Sequence, residues 1–503
     1  MDIDNANRRA AHFPAHVTGV ICLLWFVIML DGCHSEDAND GTDAIRPYED
    51  NPFYWQYRGE PVLLLGGSDQ DNLFNHPNLP SNGLESHLDL LVSAGGNYLR
   101  NTMSSRDEGS VWPFHQREDG LYDLGQWNEE YWTRFSNFLQ MTQDRDIIVQ
   151  IEVWAFHDFF GQYGRWYDNP WNPGNNITYS FEETTLSPDY EHPNHNPSDY
   201  FFTVPALAND QTVLAHQKRF IEKLLAISLE FDHVLYCITN EIHPPYSPEW
   251  GWFWARYIKE QADLAGKSVF VSEMFWQPDV RGFQHRASFD HPEIYDYFEA
   301  SQISAVRDAI VDGVLDAELE AELHWGYLMH IRGELAAYPR PINHTKIYGA
   351  DTWHAWAGSD QNTGEKFWRN IFAGSASSRF HRPERGIGLN ETAQRNIRSM
   401  RMLTESLNIF QTEPVKSRLS GHGGTFKAYV LAIPGTQYAV YFPDSGTVDF
   451  AVEQGSYRLT WLNIMNSEWQ EATTTQAGES LRLTTPGDGP WTVWLTKTDL
   501  RNQ

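Results

Sequence analysis

A chain of 503 residues is too long for one ordinary core, so a large domain with a smaller companion is expected. Its 41% hydrophobic and 21% charged residues are those of a globular protein. Its net charge of −30, from 67 acidic and 37 basic residues, excludes nucleic acid and anionic lipid as partners of the folded part.

The N-terminus reads as a targeting segment. Arg8 and Arg9 supply a positive region, and Val17 to Leu30 is apolar but short for a membrane span. Leu30-Asp31-Gly32-Cys33 is similar to a bacterial lipoprotein cleavage box, although Asp31 departs from the small or apolar residue usual there. Residues 1–33 are therefore expected to be a signal segment, with lipidation at Cys33 as the only membrane attachment. Simple cleavage and secretion is the alternative. Residues 34–50 read as an acidic tether. Cys237 would have no partner in a mature chain, so no disulfide framework is implied.

From Asn51 onward strands and helices alternate. Strands are expected at 61–67, 97–102, 147–154, 231–241, 268–273, 294–301, 346–351 and 376–381. Helical spacing falls at 84–94, 127–144, 213–231, 250–265, 317–337, 365–374 and 389–407. Alternation of this kind argues for parallel pairing and an α/β class, a (β/α)8 TIM barrel over residues 51–412. No glycine-rich nucleotide fingerprint follows the first strand. The long Pro- and Asn-rich stretch 161–204 is expected over the barrel mouth. From 413 to 503 short alternating segments separated by Gly, Pro and Asp turns predict a small antiparallel all-β sandwich.

The stretch Phe231 to Glu241 is the most informative. Its apolar run is rich in β-branched and aromatic residues, stops at Asn240-Glu241, and is followed by Pro244-Pro245. A carboxylate at the C-terminal end of a barrel strand stands where barrel enzymes place their chemistry. Glycoside hydrolysis needs two such carboxyls flanking one bond. The strand-end acids are Asp69, Glu241, Glu273, Glu299 and Asp351. Gln70, Trp154, His157, Trp353, His354, His381 and Arg382 lie just past strand ends and suit sugar subsites. His381-Arg382 could bind an anionic sugar. Twenty Trp residues include enough for sugar-stacking platforms. The His residues lack metal-ligand spacing, so neither a metal nor another cofactor is expected.

Pro61 to Asp69, the Asn240-Glu241 strand end and the C-terminal β region together resemble the apiosidase-like glycoside hydrolases. These are related to clan A and carry a C-terminal β domain described as collagen-binding. The resemblance implies that Glu241 is the acid/base, with its pKa raised. It implies that Asp351 holds the position where the clan has a nucleophilic Glu, and that Arg100 is the arginine keeping that carboxylate ionised. Asp for Glu at 351 is a departure; it leaves an Asp nucleophile, an inverting geometry or an inactive homologue, and Glu273 is the other candidate partner. The expected function is a secreted or surface-anchored bacterial glycosidase acting on plant or algal polysaccharide. The rivals are a non-catalytic glycan-binding lipoprotein on the same barrel and, more weakly, a matrix-binding protein that holds collagen.

Overall fold

The computed structural model describes residues 43–76, 83–160, 165–188, 199–243, 247–350, 354–420 and 428–498. Within them a six-stranded parallel sheet and a parallel two-stranded pair make one ring. In chain order its strands are β1 (Leu64–Gly67), β2 (Tyr98–Thr102), β3 (Ile148–Ala155), β4 (Val234–Asn240), β5 (Val271–Ser272), β6 (Phe298–Glu299), β7 (Ile342–Asn343) and β8 (Ser377–Phe380). β8 pairs back onto β1, from Ser377 opposite Leu64 to Phe380 opposite Gly67. Single backbone bonds cross the two remaining gaps: Asp296 N donates to Val271 O at 2.9 Å, and Ala376 N to Ile342 O at 2.9 Å. The sheet is therefore a closed parallel barrel, as the alternation of elements predicts.

Strands β3 and β4 are buried on both faces, which explains the apolar run that opens β4; in β3 the run is interrupted by Gln150 and Glu152. A β-carbon at Gly66 would collide with the Tyr98 carbonyl, so only glycine lets β1 approach β2 this closely. Helices α1 (Leu84–Ser93), α2 (Glu129–Gln143), α3 (Gln211–Ser228), α4 (Pro248–Leu264), α5 (Phe283–Phe289), α6 (Ala317–Glu334), α7 (Asp360–Phe372) and α8 (Glu391–Ser406) follow the strands in turn. Their starts obey local rules. Asp210 accepts from Val213 N at 3.0 Å, Asn390 from Ala393 N at 3.0 Å, and Pro248 opens α4. No helix among the described residues is long and apolar enough to cross a membrane.

Four expectations change. The first predicted strand is two pieces, since Glu60–Val62 belongs to a lead-in antiparallel sheet with Trp55–Tyr57. The tether ends sooner than 50: Arg46–Pro47 pairs with the same lead-in sheet and Ile45 is buried. Helix α5 and the hairpin Phe114–Gln116 with Tyr122–Trp127 were not expected. The seventh strand lies upstream of 346–351, at Ile342–Asn343, so residues 346–350 are irregular chain leaving it.

Beyond α8 the chain is antiparallel β. Strands β9 (Tyr429–Ile433), β10 (Gln437–Phe442), β12 (Gly455–Asn463), β13 (Thr473–Ala477) and β15 (Trp491–Lys497) belong to one sheet. β11 (Thr447–Ala451) and β14 (Ser480–Thr484) belong to a second. Residues 41–503 group as one compact unit.

Candidate active site

The C-terminal ends of the strands open into a cavity of about 810 Å³. Asn240 and Glu241 reach it from the end of β4, and His157 from the turn after β3. Lys346 and Tyr348 come from the chain after β7, and His381 and Arg382 from the end of β8. Glu241 is held at φ 64°, the left-handed region that costs a non-glycine residue about 1 kcal/mol or more and that clusters at functional sites. Its side chain is only 12% exposed.

Two donors hold one Glu241 oxygen. Lys346 Nζ donates to Oε1, and the Tyr348 hydroxyl donates to the same atom at 3.1 Å. His157 Nε2 lies 3.7 Å from Oε2. Burial alone would raise the Glu241 carboxyl, but the Lys346 ammonium and His157 override it and hold it well below the usual carboxylate range. The expected raised acid is thus reversed, and Glu241 is an ionised carboxylate here. Lys346 Nζ also donates to Asn240 Oδ1 at 2.6 Å.

Beneath this pair lies Arg100, fully buried. Its guanidinium donates to both Glu152 oxygens at 3.0 and 2.6 Å, to Asp71 Oδ1 at 2.8 Å and to Asn240 Oδ1 at 3.3 Å. It fixes Asn240 from below and does not line the cavity. Asp71 also meets Arg382 at 3.2 Å, His381 at 3.4 Å and Arg106 at 3.6 Å. Burial would raise its carboxyl, and the guanidiniums of Arg100, Arg382 and Arg106 pull it well below the usual range.

Other expected residues stand elsewhere. Glu273 is not a second cavity carboxylate. It accepts from Thr239 N at 3.0 Å, and its other oxygen faces Gly251 of α4, where a β-carbon would collide with it. Burial raises its carboxyl to about 8. Trp154 is core, packed among Trp171, Tyr200, Phe220 and Trp254. Asp69 Oδ1 accepts from Leu389 N at 3.0 Å and so anchors the approach to α8. Gln70 does not line the cavity; its carbonyl accepts from Ser68 Oγ at 2.7 Å. His354 does line it and bonds Arg385 Nη1 at 2.9 Å. Asp351 and Trp353 lie outside the described residues.

Several lining residues escaped the sequence reading: Asp71, Arg106, Trp276, Arg307, Lys346 and Trp356. One signal was present. A lysine inside a stretch read as an interior strand is costly to bury without a carboxylate opposite it, and that carboxylate is Glu241. The ligand atoms of His157, Glu241 and His243 lie within 4.8 Å of one another, a spacing that could hold a cation. Lys346 Nζ already supplies the positive charge at that carboxylate.

No family model matches the chain, and no curated protein matches it. Solved structures do. A glycoside hydrolase family 5 protein from Bacteroides vulgatus ATCC 8482 is similar at a TM-score of 0.61 and 12% identity, covering 91% of this chain and 95% of that one. A structure described as a glycoside hydrolase gives 0.60 and 12%, with 92% and 98% covered. A family 5 mannosidase from Rhizomucor miehei gives 0.50 and 14%, with 73% and 100% covered. At such identities the likeness is one of fold, and it establishes the (β/α)8 barrel with its C-terminal β region.

Proposed function

We propose that the protein is a glycoside hydrolase whose reacting carboxylate is Glu241. The observation that carries this is an Asn-Glu pair ending β4, strained at Glu241 and opening onto a cavity large enough for sugar rings. Glycosidase names on structures of the same fold support it. An ionised Glu241 suits a nucleophile or base in the free protein, and Asp351 is the proposed opposing carboxylate. The apiosidase-like subtype, a plant or algal glycan, and a cell-surface location through Cys33 belong to the same proposal.

The test is release of reducing sugar from a polysaccharide panel by wild type and Glu241→Gln. Loss of a reacting carboxylate should lower kcat by about a thousandfold or more, with the fold retained by circular dichroism. A second reading, glycan binding without hydrolysis, is favoured by one observation: Lys346 occupies the Glu241 carboxylate. It predicts that wild type binds glycan and releases no reducing sugar.

A further inference from the structure

Lys346 and Tyr348, the two donors on Glu241 Oε1, stand on residues 346–350, which form no strand or helix. Chain without a ladder has to be fixed by other bonds. The turn after β6 supplies two: Lys346 N donates to Ser301 Oγ at 3.1 Å, and Tyr348 N to Ser304 Oγ at 3.3 Å. The other fastening comes from α7, none of whose described residues lines the cavity.

Lys366 of α7 is fully buried. Its ammonium donates to the Tyr348 carbonyl at 3.2 Å and to the Ala357 carbonyl at 3.1 Å. Thr363, one turn earlier on the same helix face, lies so close to Gly349 that a β-carbon there would collide with its hydroxyl. Glycine at 349 therefore lets the segment rest directly on α7. Tyr348 is held at both ends. Its carbonyl is on Lys366, its hydroxyl is on Glu241, and its ring stands edge-on to Trp356 and His381 with centres 5.2 and 5.1 Å away. Ala357 ends the short turn that carries Trp356. One ammonium thus ties together the two stretches that bring Tyr348 and Trp356 to the cavity.

An ammonium taken fully out of water is unfavourable. Burial pulls Lys366 down to about 8, opposed by Glu320 and Glu365 and assisted by Arg369. At pH 7 it is still charged, and bonds from a charged donor are about twice as strong as neutral ones. An apolar side chain of the same length would fill the space and fasten neither carbonyl. Packing alone does not call for a lysine here; the two carbonyls do.

Resting on the assignment of Glu241 as the reacting carboxylate, we propose that Lys366 is a positioning residue: from outside the cavity it holds residues 346–350 so that Lys346 and Tyr348 stay on Glu241. It touches no substrate and acts through those two donors.

The test uses the full-length protein with Lys366→Met, and with Lys366→Gln as a milder variant that keeps one donor group. Hydrogen–deuterium exchange across residues 346–350 should quicken about tenfold in Lys366→Met, and less in Lys366→Gln, with β3 and β4 unchanged. The acid limb of kcat/KM should move to higher pH, because a Glu241 that loses its donors is harder to ionise. Adding Lys366→Met to Lys346→Met should move that limb no further than Lys346→Met does alone. A purely structural lysine would lower the melting temperature and leave the limb in place, and that result overturns the proposal. Unchanged exchange across 346–350 overturns it as well. If wild type releases sugar from no glycan, the hydrolase reading falls by itself, and the exchange measurement decides whether Lys366 holds the segment.

Discussion

Lys346 and Glu241 define the chemistry at the scale of single residues. The ammonium on Oε1 keeps the carboxylate charged in a place where burial alone would protonate it. Lys346→Met removes the charge and keeps the length. The Glu241 carboxyl should then rise, and the acid limb of kcat/KM should move to higher pH with it. The direction follows because a nucleophile or base must be ionised, so a higher pKa means activity is lost sooner as pH falls. An acid limb that stays in place would assign it to another group. Glu273 makes the complementary case. Its folded carboxyl is raised to about 8 from an ordinary 4.5, so the folded state binds the extra proton between those values. Stability from that group is complete below the unfolded pKa and is lost as pH rises through about 8. Glu273→Gln keeps the hydrogen bond from Thr239 and cannot ionise. Melting temperature should therefore fall less steeply from pH 5 to 8 in the variant, by a few kcal/mol in stability terms at the upper end. Parallel curves for the two proteins would contradict a buried neutral Glu273.

At the scale of elements, legibility tracked length. Strand β4 was evident because seven buried residues run without a polar break to an abrupt stop at Asn240-Glu241. β3 was evident from its length of eight residues and its Ile and Val content, although Gln150 and Glu152 interrupt the apolar run. Strands β5, β6 and β7 are two residues each, too short for any period to register, and they were placed by flanking patterns. For β7 this failed: Lys346-Ile347-Tyr348 has the hydropathy of a strand, yet it is the irregular segment that carries Lys346 and Tyr348 to Glu241. Candidate residues at the ends of long strands, such as Asn240, Glu241 and His157, were accordingly found. Residues delivered by single 3-10 turns, such as Arg307 and Trp356, or by irregular chain, such as Trp276, were not, because nothing local reveals where such segments will pass. Trp154 was misjudged by position. It lies within the last residues of β3, where alternation turns it outward against α3 and α4 rather than inward to the mouth.

At the scale of the whole molecule, the sheet of β9, β10, β12 and β15 has two apolar faces with different partners. Tyr429, Leu431, Ala439 and Tyr441 join the barrel's core. Val430, Ala432, Tyr438, Val440 and Phe442 alternate with them into the separate core shared with β11 and β14. Trp368 of α7 stacks on Tyr441 with ring centres 5.1 Å apart, and Trp325 of α6 lies 4.8 Å from Tyr429. The β region thus covers helices α6 and α7, which position the chain on either side of Lys346. This contact argues for a single cooperative unit rather than a tethered accessory, and calorimetry should record one transition for the intact protein. Tyr441→Ala leaves Trp368 facing a void and should cost about 3 kcal/mol. In a molecule of this size that lowers the whole transition by a few degrees. A chain ending at residue 412 would expose Trp368 and Trp325 together and should aggregate or melt well below the intact protein. If the variant instead split the transition, with a low-melting step confined to the β region and the barrel step unmoved, the two parts would be energetically separate and the shared core would add nothing to the barrel.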